Sequence, residues 1–104
     1  MARTPIHPGE ILADELKELE MTAAELARLL RVPTNRITQI IAGKRAITAD
    51  TALRLGKWFG TGPELWMNLQ QSYELRLAQQ TLEAEIATIP QRVMKRLEHS
   101  TAQQ

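Results

Sequence analysis

Helical periodicity broken at short intervals is the feature that most limits what this chain can fold into. Apolar residues recur at three- and four-residue spacings and no segment alternates as a half-buried strand does, which predicts an all-α fold. The breaks fall at Met21-Thr22, Arg31-Val32-Pro33, Gly43 and Gly60-Thr61-Gly62. They leave room for four short helices followed by one long one.

Local chemistry places the ends. Pro8 and Gly9 open the first helix, where a proline sacrifices no bond because the early amides have no intrahelical partner. Ile11, Leu12, Leu16 and Leu19 stripe that helix, which ends near Met21. Thr22-Ala23-Ala24-Glu25 has the spacing of a capping box, and Leu26, Ala27, Leu29 and Leu30 then turn inward. Pro33 removes an amide and biases its predecessor away from helix, so the second helix stops after about nine residues. A third helix fits Thr34–Ala42 and ends at Gly43, which tolerates a left-handed conformation. Thr48 is the expected cap of the fourth, with Asp50 in its first turn and Ala52, Leu53, Gly56 and Phe59 on its inner face. Pro63 starts a fifth segment that is helix-compatible to Ile89-Pro90.

These elements suggest one domain over residues 1–89 and a polar, flexible tail over 90–104, in which Val93, Met94 and Leu97 have the spacing of one more short helix. The four aromatic residues, Trp58, Phe59, Trp66 and Tyr73, all lie in one stretch, so aliphatic side chains must build most of the core. No run approaches the ~18 apolar residues of a membrane helix, no apolar leader is visible, and there is no cysteine. A cytoplasmic protein without disulfides or thiolate metal sites is the expectation.

Net charge is +1 but unevenly spread. Up to Glu25 the balance is −4, whereas from Arg28 to Lys57 it is +6, with Asp50 the one acidic residue. Such a basic middle gives a polyanion one face to approach, although an uneven solvated surface would look the same. The third helix adds a second signal. At 100° per residue Ile40 and Ile41 lie within about 60° of Ile37, which points Asn35 and Gln39 the opposite way with Arg36 and Thr38 beside them. Arginine pairs bidentately with guanine, asparagine and glutamine with adenine, and threonine meets a thymine methyl or a phosphate. The same side chains also serve as ordinary solubilising residues. Against that reading, no carboxylate occurs from Leu26 to Ala49, whereas an ordinary surface mixes both signs.

Two short helices with a tight turn, the second carrying base readers at its N-terminal end, make a helix-turn-helix. The readers are then Thr34, Asn35, Arg36, Thr38 and Gln39, and the phosphate contacts Lys44, Arg45, Arg28 and Thr22 with the amide end of the second helix.

Ala27-x-x-Leu30-x-Val32, Ile37 and Gly43-Lys44-Arg45 resemble the Xre/Cro-type helix-turn-helix. The blocks His7-Pro8-Gly9-Glu10-Ile11-Leu12, Gly43-Lys44-Arg45-Ala46-Ile47, Ala52-Leu53-Arg54-Leu55 and Pro63-Glu64-Leu65-Trp66-Met67-Asn68-Leu69-Gln70 extend the likeness to the HigA/VapI antitoxins over roughly residues 6–82. The resemblance implies a five-helix, lambda-repressor-like domain that binds a palindromic DNA operator as a dimer and represses its own operon. It also implies neutralisation of a HigB toxin, an mRNA endonuclease of the RelE type. Carried over by position, Thr34, Asn35, Arg36, Thr38 and Gln39 match the recognition helix and Lys44 the phosphate contact. Two positions depart from the pattern. Arg31 stands where glycine is usual, and Pro33 where a serine-like cap is common.

The fifth segment, about 37 Å long as one helix, exceeds what this core can cover. Leu65, Trp66, Leu69 and Tyr73 are expected to dock on the other helices. Leu75, Ala78, Leu82, Ile86 and Ile89 continue the stripe beyond them as a dimerisation surface, the alternative being that the helix folds back on its own core. Gln91–Leu97 and the N-terminal arm are candidate toxin contacts. No catalytic residue, metal or cofactor is expected, because His7 and His99 are far apart and the glutamates are spaced as solvated charges. Two other functions fit the same sequence: a free-standing repressor without a toxin, and a protein-interaction module that has lost DNA binding.

Overall fold

The computed structural model describes residues 4–93. Met94, Leu97 and most of the 90–104 tail, including the toxin candidate Gln91–Leu97 beyond Val93, lie outside the described residues. Five helices follow in order: α1 Pro8–Glu18, α2 Ala23–Leu30, α3 Thr34–Ile41, α4 Ala49–Phe59 and α5 Pro63–Ile86. There is no strand among the described residues. The all-α, five-helix expectation holds, with each end within a few residues of its predicted place.

The caps show why the ends fall there. At α2, Thr22 Oγ1 accepts the Glu25 amide at 3.1 Å while the Glu25 carboxylate accepts the Thr22 amide at 2.8 Å. This capping box is the one the spacing predicts. Arg31 closes α2 in the left-handed conformation (φ 62°), so the turn keeps its shape without the usual glycine, and the Val32 amide reaches back to the Ala27 carbonyl at 3.0 Å. Glu20 does the same after α1 (φ 52°). Pro33 precedes α3 without a side-chain cap, again as expected. Thr48 departs from expectation: it precedes α4 with no side-chain cap bond.

Leu12, Leu16, Leu26, Ala27, Leu30, Ile37, Ile40, Ile47, Ala52, Leu55 and Trp66 form one core. Two inward assignments fail. Leu29 is 51% and Leu53 60% exposed, while Leu55 is buried. Ala52, Leu55, Gly56 and Phe59 repeat at three and four residues and so share the inner face; Leu53 is one residue from Ala52 and swings about 100° away. Leu29 and Leu53 instead line, with Trp58 and Lys57, a shallow groove between α2 and α4. Leu19 and Leu65 are also exposed.

Two glycines set how closely the helices approach. A Cβ on Gly9 would strike the Ile40 carbonyl, so α1 begins pressed against the last turn of α3. A Cβ on Gly56 would strike the backbone of Gly62 and Pro63, so α4 touches the start of α5.

His7 has a structural use that its sequence position does not announce. It is buried, and its Nδ1 accepts the Gly9 amide at 2.9 Å, capping α1. Its own amide donates to the Glu10 carboxylate at 3.4 Å, and its ring meets Tyr73 of α5 edge-on with centroids 4.9 Å apart. An accepting Nδ1 needs a neutral ring, and burial lowers the His7 pKa from 6.5 against the opposing pull of Glu10. The unfolded chain therefore takes up the proton first as pH falls below 6.5, and stability drops until the folded ring titrates at its lowered value. Thermal unfolding between pH 7.5 and 5.5 is expected to show a decline in the wild type that His7→Asn, which keeps a capping oxygen, largely abolishes. Equal declines in both proteins would refute this.

Candidate nucleic-acid interface

The helix-turn-helix consists of α2, the Arg31-Val32-Pro33 turn and α3. Ile37 and Ile40 are fully buried, and this anchors α3 by one face. Thr34, Asn35, Thr38 and Gln39 are consequently exposed together on the other. Thr38 Oγ1 donates to the Asn35 carbonyl at 3.3 Å, so its methyl is the part left for an apolar contact.

Beyond α3 the chain turns sharply back. Gly43 adopts φ 76°, and the Lys44 amide donates to the Gln39 carbonyl at 2.9 Å. The turn carries Arg45 onto the reading face, where its guanidinium donates to the Gln39 side-chain oxygen at 3.1 Å. Lys44 and Arg45 are both exposed there. The loop is held from behind by Gln70 of α5, a buried side chain whose Oε1 accepts the Ile47 amide at 2.8 Å and whose amide group donates to Glu74 at 2.9 Å. A glutamine followed by a second one, Gln71, gives no local hint of this role. The partner is 23 residues away.

Arg36 is not a free reader. It is half-buried on the flank of α3, 2.8 Å from the Asp50 carboxylate. The same oxygen accepts Arg54 Nε at 2.8 Å, and Arg54 also donates to the Leu30 carbonyl at the end of α2 at 2.8 Å. These guanidiniums, Arg54 first, hold the Asp50 carboxyl below its ordinary pKa. Sequence reading assigned Asp50 to the α4 dipole and Arg54 to no site.

Of the phosphate candidates, Arg28, Lys44 and Arg45 stand exposed, as the reading requires. Thr22 does not suit the role. Its hydroxyl is engaged with Glu25, and a phosphate arriving there would meet that carboxylate, which the capping bonds keep ionised to a lower pH than usual. Among the described residues no group of side chains could hold a metal ion. None of the described helices is long and apolar enough to cross a membrane.

Comparison with known proteins fits this geometry. Residues 12–66 match a family described as helix-turn-helix, and these residues run from α1 to the first turn of α5. An addiction module antidote protein of the HigA family from Coxiella burnetii superimposes with TM-score 0.84 at 51% identity, covering 88% of this chain and all of that one. The chain belongs to the HigA family of Xre-type helix-turn-helix proteins. Within that family, the Pseudomonas aeruginosa antitoxin HigA, solved with the higBA promoter, is 43% identical with TM-score 0.81 over 86% of this chain and 99% of its own. The virulence-associated protein I of Dichelobacter nodosus is 45% identical over 86 residues, 82% of this chain and 80% of that protein. HigA-type structures thus share the fold over 86–88% of the chain.

The distal part of α5 differs from the predicted continuation. Trp66, Leu69, Gln70 and Tyr73 face the body, but Leu75, Ala78, Leu82 and Ile86 fall on nearly the opposite side, within an arc of about 80° at 100° per residue. From Glu74 to Val93 every residue is exposed, so α5 does not fold back on its own core. Ile89 lies in the turn after the helix, exposed like the rest.

Proposed function

We propose that the protein is an operator-binding antitoxin. A homodimer inserts Thr34, Asn35, Arg36, Thr38 and Gln39 of each α3 into successive major grooves, while Lys44, Arg45 and Arg28 hold phosphates. The reading rests on one observation: α3 buries its isoleucines and presents base-pairing side chains on a face free of carboxylates except Asp50. The operator-bound HigA relative supports carrying DNA to this chain, and its promoter complex supports the chain's own operon as the target. The α5 stripe of Leu75, Ala78, Leu82, Ile86 and Ile89 pairs two copies so that their α3 helices lie about 34 Å apart, one turn of the duplex. The protein partner is a toxin of the HigB/RelE type, neutralised through a surface separate from α3.

The test is an anisotropy titration against DNA from immediately upstream of the protein's own gene and against a scrambled duplex, at two salt concentrations. Wild type is expected to prefer the upstream DNA and to lose affinity as salt rises. Asn35→Ala/Gln39→Ala removes two bidentate readers at about 1–3 kcal/mol each, so its selectivity is expected to fall by about 10²-fold or more. Equal, weak binding to both duplexes by wild type would end the operator reading. Co-purification with a small toxin encoded beside the gene tests the second half.

A further inference from the structure

Asp50 is the one carboxylate between Leu26 and Lys57, and it stands next to a reader of the basic face. A negative charge there opposes phosphate approach, so its presence calls for a reason. Stability is a weak one. The pairs it makes are partly exposed, with side-chain accessibilities of 25% for Arg36, 39% for Arg54 and 56% for Asp50, and screened pairs of this kind contribute little.

The connectivity suggests another use. Arg54 donates to the Leu30 carbonyl, which fixes its position relative to α2, and it braces the Asp50 oxygen that binds Arg36. The end of α2, the start of α4 and the flank of α3 are thereby joined through three side chains. An unrestrained arginine samples many rotamers and pairs with any phosphate in reach, which is sequence-independent binding. Held at one amino group, Arg36 keeps its remaining donors in a set direction, and the neighbouring carboxylate repels the phosphates that would otherwise capture it.

We propose that Asp50, braced by Arg54, is a positioning residue that determines specificity: it withholds Arg36 from phosphates and presents it for base discrimination. This rests on the reading of α3 as the DNA-facing helix.

The experiment measures the affinity of wild type, Asp50→Ala, Asp50→Asn and Asp50→Glu for the upstream and scrambled duplexes across a salt series, with a thermal melt of each. Asp50→Ala is expected to bind scrambled DNA several-fold more tightly, to gain about one ion per protomer in its salt slope and to lose about tenfold in selectivity. Asp50→Glu is expected to restore part of the selectivity. Asp50→Asn keeps the volume and serves if the alanine variant melts below the assay temperature. In the Arg36→Ala background, Asp50→Ala should change selectivity no further. A merely structural Asp50 would lower the melting temperature and weaken both duplexes together, leaving their ratio and salt slope unchanged. That outcome, with a selective wild type, overturns the proposal and leaves the operator reading intact. A wild type without selectivity overturns both.

Discussion

Gly9→Ala is expected to lower stability by about 3 kcal/mol, and the melting temperature by on the order of 10–20 °C for a domain of this size. Helix propensity alone predicts the reverse, since alanine in place of a helical glycine gains about 0.5–1 kcal/mol. The contact outweighs it. The new methyl would enter the space of the Ile40 carbonyl oxygen, and backbone cannot rotate aside as a flexible side chain can. Either α1 or the last turn of α3 must move. Both carry fully buried anchors, Leu12 on one and Ile37 and Ile40 on the other. Thermal unfolding followed by circular dichroism reads the result. A variant as stable as wild type would mean that α1 can retreat at no cost. Because the displaced turn leads into Gly43-Lys44-Arg45, surviving folded protein should also bind DNA less tightly.

Leu82→Asp/Ile86→Asp is expected to turn a dimer into a folded monomer and to weaken operator binding by about 10²-fold or more. The two side chains are 43% and 54% exposed and lie on the face of α5 turned away from the core. Charging them therefore removes nothing that a single copy buries. In a dimer the same change places four carboxylates in an apolar seam, where unpaired charge is strongly disfavoured. Operator affinity falls because linked binding to two half-sites exceeds either site alone by about 10²–10⁴. Sedimentation equilibrium gives the mass, and the melting curve at low concentration reports the fold. A double variant that stays dimeric would move the interface elsewhere, and the exposed patch of Leu29, Leu53 and Trp58 would be examined next.

Much of the fold was legible because its determinants are local. A capping box, a proline, a glycine after a helix and a three-to-four residue apolar spacing each act over a few residues. Thr22 with Glu25, Pro33, Gly43 and the Ile37–Ile41 cluster could therefore be located from composition and spacing. The outward direction of Asn35 and Gln39 followed from the same geometry, since burying the isoleucines leaves them only one side. Arg31 is different: the family pattern puts glycine there, and the structure decides that arginine keeps the left-handed turn, at φ 62°.

Other features depended on distances that no local rule supplies. Leu29 is as apolar as Leu26 and Leu30, and only the placement of neighbouring helices leaves it outside. Nothing near Gln70 indicates that it holds the Ile47 amide, and nothing near His7 indicates that its ring meets Tyr73. The bond from Arg36 to Asp50 crosses 14 residues and that from Arg54 to Leu30 crosses 24. Long-range electrostatics thus tethers Arg36, which its helical position alone leaves free.

Five helices, their order and the exposed polar face of α3 follow from the residues alone, because backbone hydrogen bonding and side-chain periodicity are set within a turn or two. Packing between helices settles whether Leu29 is core, how the Lys44-Arg45 loop is held and what restrains Arg36. Each of those depends on where one helix comes to rest against another.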